Sequence, residues 1–207
     1  PADKTYGDAD FNLSASSDSG LPVDFSIISG PATLSGSTVT ITGAGTVVVE
    51  ATQSGDVNYT AATPVQQSFE VAKAQLNVIA DNKNITYGDA IPTLTFSFNA
   101  TDFVNSETEA VIDLDPDIST TATIASNAGT YPITLADGSD DNYSFIFTQA
   151  TLEITQASQT ITFTDPDDKT YGDEDFNLIA SSDSGLPVDF SIVSGPATLS
   201  GSTVTIT

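Results

Sequence analysis

Ser37-Thr38-Val39-Thr40-Ile41-Thr42 alternates hydroxyl and apolar side chains with a period of two. Thr46-Val47-Val48-Val49-Glu50-Ala51 follows after a Gly43-Ala44-Gly45 turn. Successive side chains of a strand point to opposite faces, so the first stretch puts Val39 and Ile41 on one face and its threonines on the other. The glycine-flanked turn reads as the bend of a hairpin, with 46–51 as its returning arm. Working outward, the same alternation predicts strands at 11–16, 23–28, 68–71, 76–80, 94–98, 118–124, 130–135, 143–147 and 151–155. No segment carries a helical apolar stripe, and 106–113 reads at most as one turn of helix.

The stretch recurs. Residues 166–207 repeat residues 1–42 at an offset of 165, with 38 of 42 positions identical; the exceptions are Ala2/Asp167, Ala9/Glu174, Ser14/Ile179 and Ile28/Val193. Thr-Tyr-Gly-Asp also occurs three times, around Tyr6, Tyr87 and Tyr171, which sets a unit of about 80 residues. Asp56-Val57-Asn58-Tyr59 and Asp140-Asp141-Asn142-Tyr143 keep the same register late in each complete unit. The division is unit A at 1–74, unit B at 75–156 and unit A′ at 157–207. The copy at 159–164, alternating through Ile161 and Phe163, has no counterpart ahead of Pro1, and A′ stops at the equivalent of Thr42. About seven short strands per unit, bounded by Gly, Pro, Asn and Ser, predict an all-β chain of tandem immunoglobulin-like β-sandwiches in an elongated array. A β-solenoid would need a repeat of about 20 to 30 residues, which is absent.

Composition excludes whole classes of function. The 207 residues hold 28 acids against 4 basic residues, a formal charge of −24, with no His, Cys, Met or Trp. Phosphate backbones and anionic membranes would repel such a surface, so neither nucleic acid nor direct membrane insertion is expected. Without His or Cys there is no triad, thiolate nucleophile or ordinary zinc site, and an 80-residue sandwich offers little cleft for paired-carboxylate hydrolysis. No catalytic residue is assigned and the chain is expected not to be an enzyme. The charge is distributed: −6 in A, −11 in B and −7 in A′, which suits mutual repulsion of exported filaments better than one binding patch. A chain without thiols also has nothing to mispair in an oxidising compartment.

Lys4-Thr5-Tyr6-Gly7-Asp8-Ala9-Asp10-Phe11 and Ser29-Gly30-Pro31-Ala32-Thr33-Leu34-Ser35-Gly36 resemble one subtype of the bacterial immunoglobulin-like repeats called MBG domains. Unit B resembles a second, through Ile85-Thr86-Tyr87-Gly88-Asp89, Phe103-Val104-Asn105, Gly129-Thr130-Tyr131-Pro132-Ile133 and Leu152-Glu153-Ile154. The resemblance implies a structural stalk segment of an exported bacterial cell-surface adhesin, of the filament-forming kind that gliding bacteria display through a type IX secretion system. It implies no catalytic residues. The alternative is a low-affinity carbohydrate- or protein-binding module acting by avidity. The partners expected are neighbouring repeats of the same chain, with any surface glycan or protein ligand engaged through other regions.

The repeated motifs read first as architecture. Gly7, Gly88 and Gly172 permit a positive φ or a tight turn, the adjoining Asp accepts backbone hydrogen bonds, and the tyrosine is expected to anchor its ring in the core. Tyr59 and Tyr143 read as tyrosine-corner or strand-entry anchors. Asp165, Asp167 and Asp168, just after a unit boundary, are candidate calcium ligands, because hard cations take six to eight oxygens and a junction loop can supply carboxylates. The simpler reading of that cluster is a solvated acidic surface, with no cofactor. Lys4 and Lys169 lie by pattern on the outer edge of a turn, which argues against an isopeptide crosslink. The junctions 71–76 and 154–161 hold neither Gly nor Pro, so one unit's last strand is expected to lead almost directly into the next unit's first.

Overall fold

The computed structural model describes residues 1–207 and divides them into two compact bodies, Pro1–Thr155 and Gln156–Thr207. Both are all-β, apart from one 3-10 turn at Glu109–Val111 inside the predicted helical turn.

In the first body, unit A contributes β1 (Lys4–Thr5), β2 (Phe11–Asn12), β3 (Asp24–Ser29), β4 (Ala32–Ser35), β5 (Thr38–Ile41), β6 (Gly45–Thr52) and β7 (Val65–Ala72). One sheet runs β1-β7-β6-β3 and the facing sheet β2-β5-β4. The expected hairpin at Gly43–Gly45 is therefore corrected: β5 pairs with β4 and β2, while β6 pairs with β7 and β3 in the other sheet. The glycines carry the chain across the sandwich. The physical reason is that both strands bury every second residue, and Val39 and Ile41 from one sheet meet Val47 and Val49 from the other in a single core. Val39 and Val47 are fully buried, each worth roughly 1.5–3 kcal/mol relative to an exposed side chain. Phe11 reaches across to Phe69, ring centroids 5.5 Å apart and nearly perpendicular.

Unit B contributes β8 (Ala74–Ala80), β9 (Lys83–Thr86), β10 (Phe96–Phe98), β11 (Asp117–Thr120), β12 (Gly129–Ala136), β13 (Tyr143–Thr148) and β14 (Ala150–Thr155). Its sheets run β10-β8-β13 and β11-β12-β14-β9, with β8 parallel to β13 and β9 parallel to β14. The same parallel pairing closes unit A, where Lys4 and Thr5 lie beside Val71 and Ala72. Strand β8 divides its side chains between two cores. Ala74 and Leu76 belong to the cluster that fills A, and Val78 and Ala80 to the cluster built on Ile133, Leu135 and Leu152 in B. Only Lys73 separates β7 from β8, as expected for a direct handover.

The second body holds β15 (Ile161–Phe163), β16 (Phe176–Asn177), β17 (Ala180–Ser182), β18 (Ala197–Ser200) and β19 (Thr203–Ile206). Its three-stranded sheet β16-β19-β18 reproduces β2-β5-β4. Residues 189–194, equivalent to β3, are not strand; in unit A the partner of β3 is β6. Val204 is the one buried hydrophobic residue there. The second handover is looser than expected: residues 156–160 are outside any strand. In B the opening strand β8 is flanked by β13 as well as β10, whereas β15 has only β17.

Candidate functional site: the joint inside the first body

The Thr-Tyr-Gly-Asp turn has one geometry throughout. The amide of Thr5 donates to the Asp8 carboxylate at 2.9 Å, that of Thr86 to Asp89 at 3.0 Å, and that of Thr170 to Asp173 at 2.8 Å. The intervening glycines have φ of 92°, 93° and 96°, a region that L side chains avoid. The reading of Gly and Asp as turn-builders agrees with this geometry.

The reading of the tyrosine as a core anchor holds for Tyr6, which packs in the cluster that fills A, and not for Tyr87 or Tyr171. Tyr6 is 5% exposed, but Tyr87 is 50% and Tyr171 81% exposed. The turn is the same in all three places, so the difference in burial comes from what packs on the ring, which for Tyr6 is the core of A together with Tyr143 of B. The amide of Tyr6 bonds to the carbonyl of Ala72, which places the ring at the end of A where the chain passes into B. What covers it is Tyr143, the last residue of B's Asp-x-Asn-Tyr motif, with ring centroids 5.8 Å apart at 88°. Tyr143 is 2% exposed, whereas Tyr59, its equivalent in A, is 53% exposed. The two repeated motifs are thus the two halves of one joint, one at the trailing end of a unit and the other at the leading end of the next.

Glu107 clasps both rings. Tyr6 donates its hydroxyl to Oε1 at 2.7 Å, and Tyr143 donates to Oε2 at 2.6 Å. The Tyr143 hydroxyl in turn accepts the amide of Val104 at 2.9 Å. The loop that delivers Glu107 passes through Asn105 and Ser106, both left-handed at φ 54° and 62°, a strain of order 1–3 kcal/mol each that the surrounding contacts must hold. Its base is latched to β8 by Asp102, which accepts the backbone amide of Asn77 at 3.0 Å and its side-chain amide at 2.8 Å. Those donors hold the Asp102 carboxyl below the usual carboxylate range. Burial first, and then the hydrogen bond to Glu107, push the Tyr6 and Tyr143 hydroxyls above the ordinary tyrosine range.

The rest of the joint is backbone recognition. Buried Asp140 accepts the amides of Asn142 and Tyr143 at 2.7 and 2.8 Å. This turn presents Asn142 to unit A, where its side-chain oxygen accepts the Ala44 amide and its carbonyl the Ala74 amide, both at 2.9 Å. Lys73 donates to the Asp140 carbonyl at 2.6 Å. Phe103 packs edge-on against Tyr143 at 5.4 Å, and Val104 sits so close to Gly7 that a Cβ there would lie 2.5 Å from it.

The remaining sequence candidates lie elsewhere. Asp165, Asp167 and Asp168 are all exposed; the first two border a shallow depression that also holds Lys169, and the three do not converge into a cluster able to hold a metal ion. Lys4 and Lys169 place their ammonium groups over Phe11 and Phe176, 4.7 and 5.1 Å from the ring centroids. Sequence reasoning missed Glu107, which stands alone in unit B with no equivalent motif to flag it. The available signal was that each of two aromatic motifs occurs once per unit, at opposite ends.

A search of curated proteins finds no match to the chain. Residues 76–153, the segment that carries Glu107, Asn142 and Tyr143, match the family profile of the MBG domain (YGX type), which supports an MBG-type repeat there.

Proposed function

We propose that the chain is a stalk segment of a repetitive bacterial cell-surface adhesin, extracellular, of the filament-forming kind that gliding bacteria export through a type IX system. It holds a distal binding region away from the cell and carries tension from terminus to terminus. Its working partners are neighbouring repeats, and no residue of it acts as a catalyst or cofactor ligand. The observation that supports this reading is the joint. Tyr6, Glu107 and Tyr143 bind A to B across a one-residue connection, which a spacer under load requires and an independent binding module does not. The test is to pull the full chain between its termini in a single-molecule force experiment and to expose it to a glycan array. Expected are force peaks from A and B that weaken when Glu107 is replaced by Ala, together with silence on the array. Saturable binding to one glycan class, or peaks insensitive to Glu107, would overturn the stalk.

A further inference from the structure

The sheet ladders put the Tyr6 end of unit A and the Tyr87 end of unit B in one register. In A, Gly45 pairs with Val71 and Val71 with Lys4; in B, Gly129 pairs with Ile154 and Ile154 with Ile85. Counted from these rungs, Gly43 of A corresponds to Asn127 of B and Lys73 to Gln156, whereas the Thr-Tyr-Gly-Asp turn is common to both. Both differing positions touch the joint. Asn142 of B stands against Gly43, and Lys73 donates to the Asp140 carbonyl. Gly43 is buried, and a Cβ added to it would lie 3.0 Å from Oδ1 of Asn142 and 3.1 Å from Cβ of Pro31. Asn142 can withdraw only by giving up the Ala44 amide that its oxygen accepts, and Pro31 closes the other side. The asparagine that B carries at this position has no room in A. Lys73 is one of four basic residues in the chain and meets an end of B that carries Asp140 and Asp141; a glutamine offers neither its charge nor its reach.

The other side of the joint is equally particular. Counted from the tyrosine of the Thr-Tyr-Gly-Asp turn on one side, and from the pairing of β3 with β6 and of β11 with β12 on the other, residues 99–116 of B correspond to residues 18–23 of A. The arm that brings Val104 against Gly7 and Glu107 onto Tyr6 is therefore absent from A. Its replacement, Asp18-Ser19-Gly20-Leu21-Pro22-Val23, holds neither Glu nor an aromatic residue, and the copy at 183–188 is identical. Unit A keeps the Asp-x-Asn-Tyr turn, with Asp56 accepting the amides of Asn58 and Tyr59, so what it lacks is the arm.

We propose that the joint reads repeat subtype: the trailing end of an A-type unit accepts the leading end of a B-type unit and refuses that of another A, and the trailing end of a B-type unit refuses another B. Gly43 and Lys73 are the specificity determinants on the A side, Val104 and Glu107 on the B side. The Tyr-Gly turn common to both ends carries no discrimination, and these four positions supply it, partly by attraction and partly by exclusion. Gly43 acts by leaving room for Asn142, and Asn127 by filling the same room, so a B-B pair is refused sterically. An A-A pair is refused because no carboxylate arrives to clasp the tyrosine. The order of A before B is in this way written into side chains as well as into the covalent chain. This selectivity does not depend on what the array carries.

The test exchanges the determinants within the full 207-residue chain. The joint is read by the nuclear Overhauser contact between the Tyr6 and Tyr143 rings and by amide exchange at Ala44. Gly43→Asn with Lys73→Gln, which gives A the end of B, should remove the ring contact and speed exchange at Ala44 by about tenfold or more, the equivalent of an overpacking penalty, while the amides of β12 and β14 stay protected. In urea titrations the drop in midpoint caused by Gly43→Asn should shrink by about half or more on an Asn142→Gly background, as expected of two groups that compete for one space. Val104→Ala with Glu107→Ala, which deprives B of what A lacks, should also remove the ring contact. A first variant that keeps the ring contact and slow Ala44 exchange overturns selection at Gly43 and Lys73. An equal urea drop on both backgrounds traces the effect to Pro31 inside unit A and overturns Gly43 as a selector. A ring contact that survives loss of Val104 and Glu107 overturns the role of the arm.

Discussion

Tyr6 and Tyr143 stand edge to face across the boundary of two repeats and share the two oxygens of one carboxylate, Glu107. Each tyrosine belongs to a motif that recurs along the chain, and here the two motifs meet as a pair, whereas Tyr59 and Tyr87, their equivalents, are half exposed.

Tyr143→Phe should destabilise the first body by about 1–3 kcal/mol, because it leaves Oε2 of Glu107 and the Val104 amide without their partner while keeping the ring in place. Tyr6→Phe should cost less, since only one hydrogen bond is lost. The double variant should fall short of the sum, as expected of groups that share a partner. Urea titrations of the four proteins check this.

Alkali should weaken the joint before the rest of the fold. Both hydroxyls have folded-state pKa values raised above their unfolded values, so the native state holds its protons longer. Stability is therefore fully present below about pH 10, the unfolded tyrosine value, and declines as pH rises through it. Melting temperature against pH should show this decline in the native sequence and a shallower one in Tyr143→Phe.

Gly7→Ala and Gly88→Ala impose the same backbone strain, at φ 92° and 93°, yet they should differ in cost. At Gly88 an added Cβ meets nothing within 4 Å, whereas at Gly7 it lands 2.5 Å from Val104. The Gly7 variant should be worse by about 1–3 kcal/mol, the usual size of an overpacking penalty. Val104→Ala should not relieve it, because the Val104 Cβ is itself 2.6 Å from the added atom; Val104→Gly should. Thermal melts of the paired variants decide the matter.

Asp140→Ala and Asp56→Ala remove the same turn from the same motif. Asp140 is buried and its turn aims Asn142 at unit A, so its loss should cost about 1–3 kcal/mol. Asp56 caps an identical but exposed turn, and its loss should stay within about 0.5 kcal/mol. Calorimetry of the two variants measures the contrast.

Most strands were legible because alternation is local. The predicted 130–135 became Gly129–Ala136, and 76–80 became Ala74–Ala80. What alternation cannot encode is which sheet a strand joins: Val39 and Val47 present the same inward pattern whether Gly43–Gly45 turns a hairpin or crosses the sandwich. Isolated short strands such as β1 and β9 were invisible because two to four residues carry no period, and their pairing with β7 and β14 comes from the closing of the sheet. At the joint, the turn residues and the anchoring role of Tyr6 and Tyr143 were readable, but their pairing across two units was not. A single-unit argument assigns every aromatic ring to one core, whereas Tyr6 packs both on the core of A and against Tyr143 and Glu107, more than 100 residues away.

The single residue between β7 and β8 has a rotational consequence. Val71 is held in its ladder by Lys4 and Gly45, and Ala74 by Tyr143, so the peptide through Lys73 has no slack in which to swivel. Unit B is keyed to unit A at one azimuth as well as at one distance. A twist applied to A is passed on as torque rather than absorbed at the boundary, and any feature displayed on one face of A keeps a constant bearing relative to a feature on B.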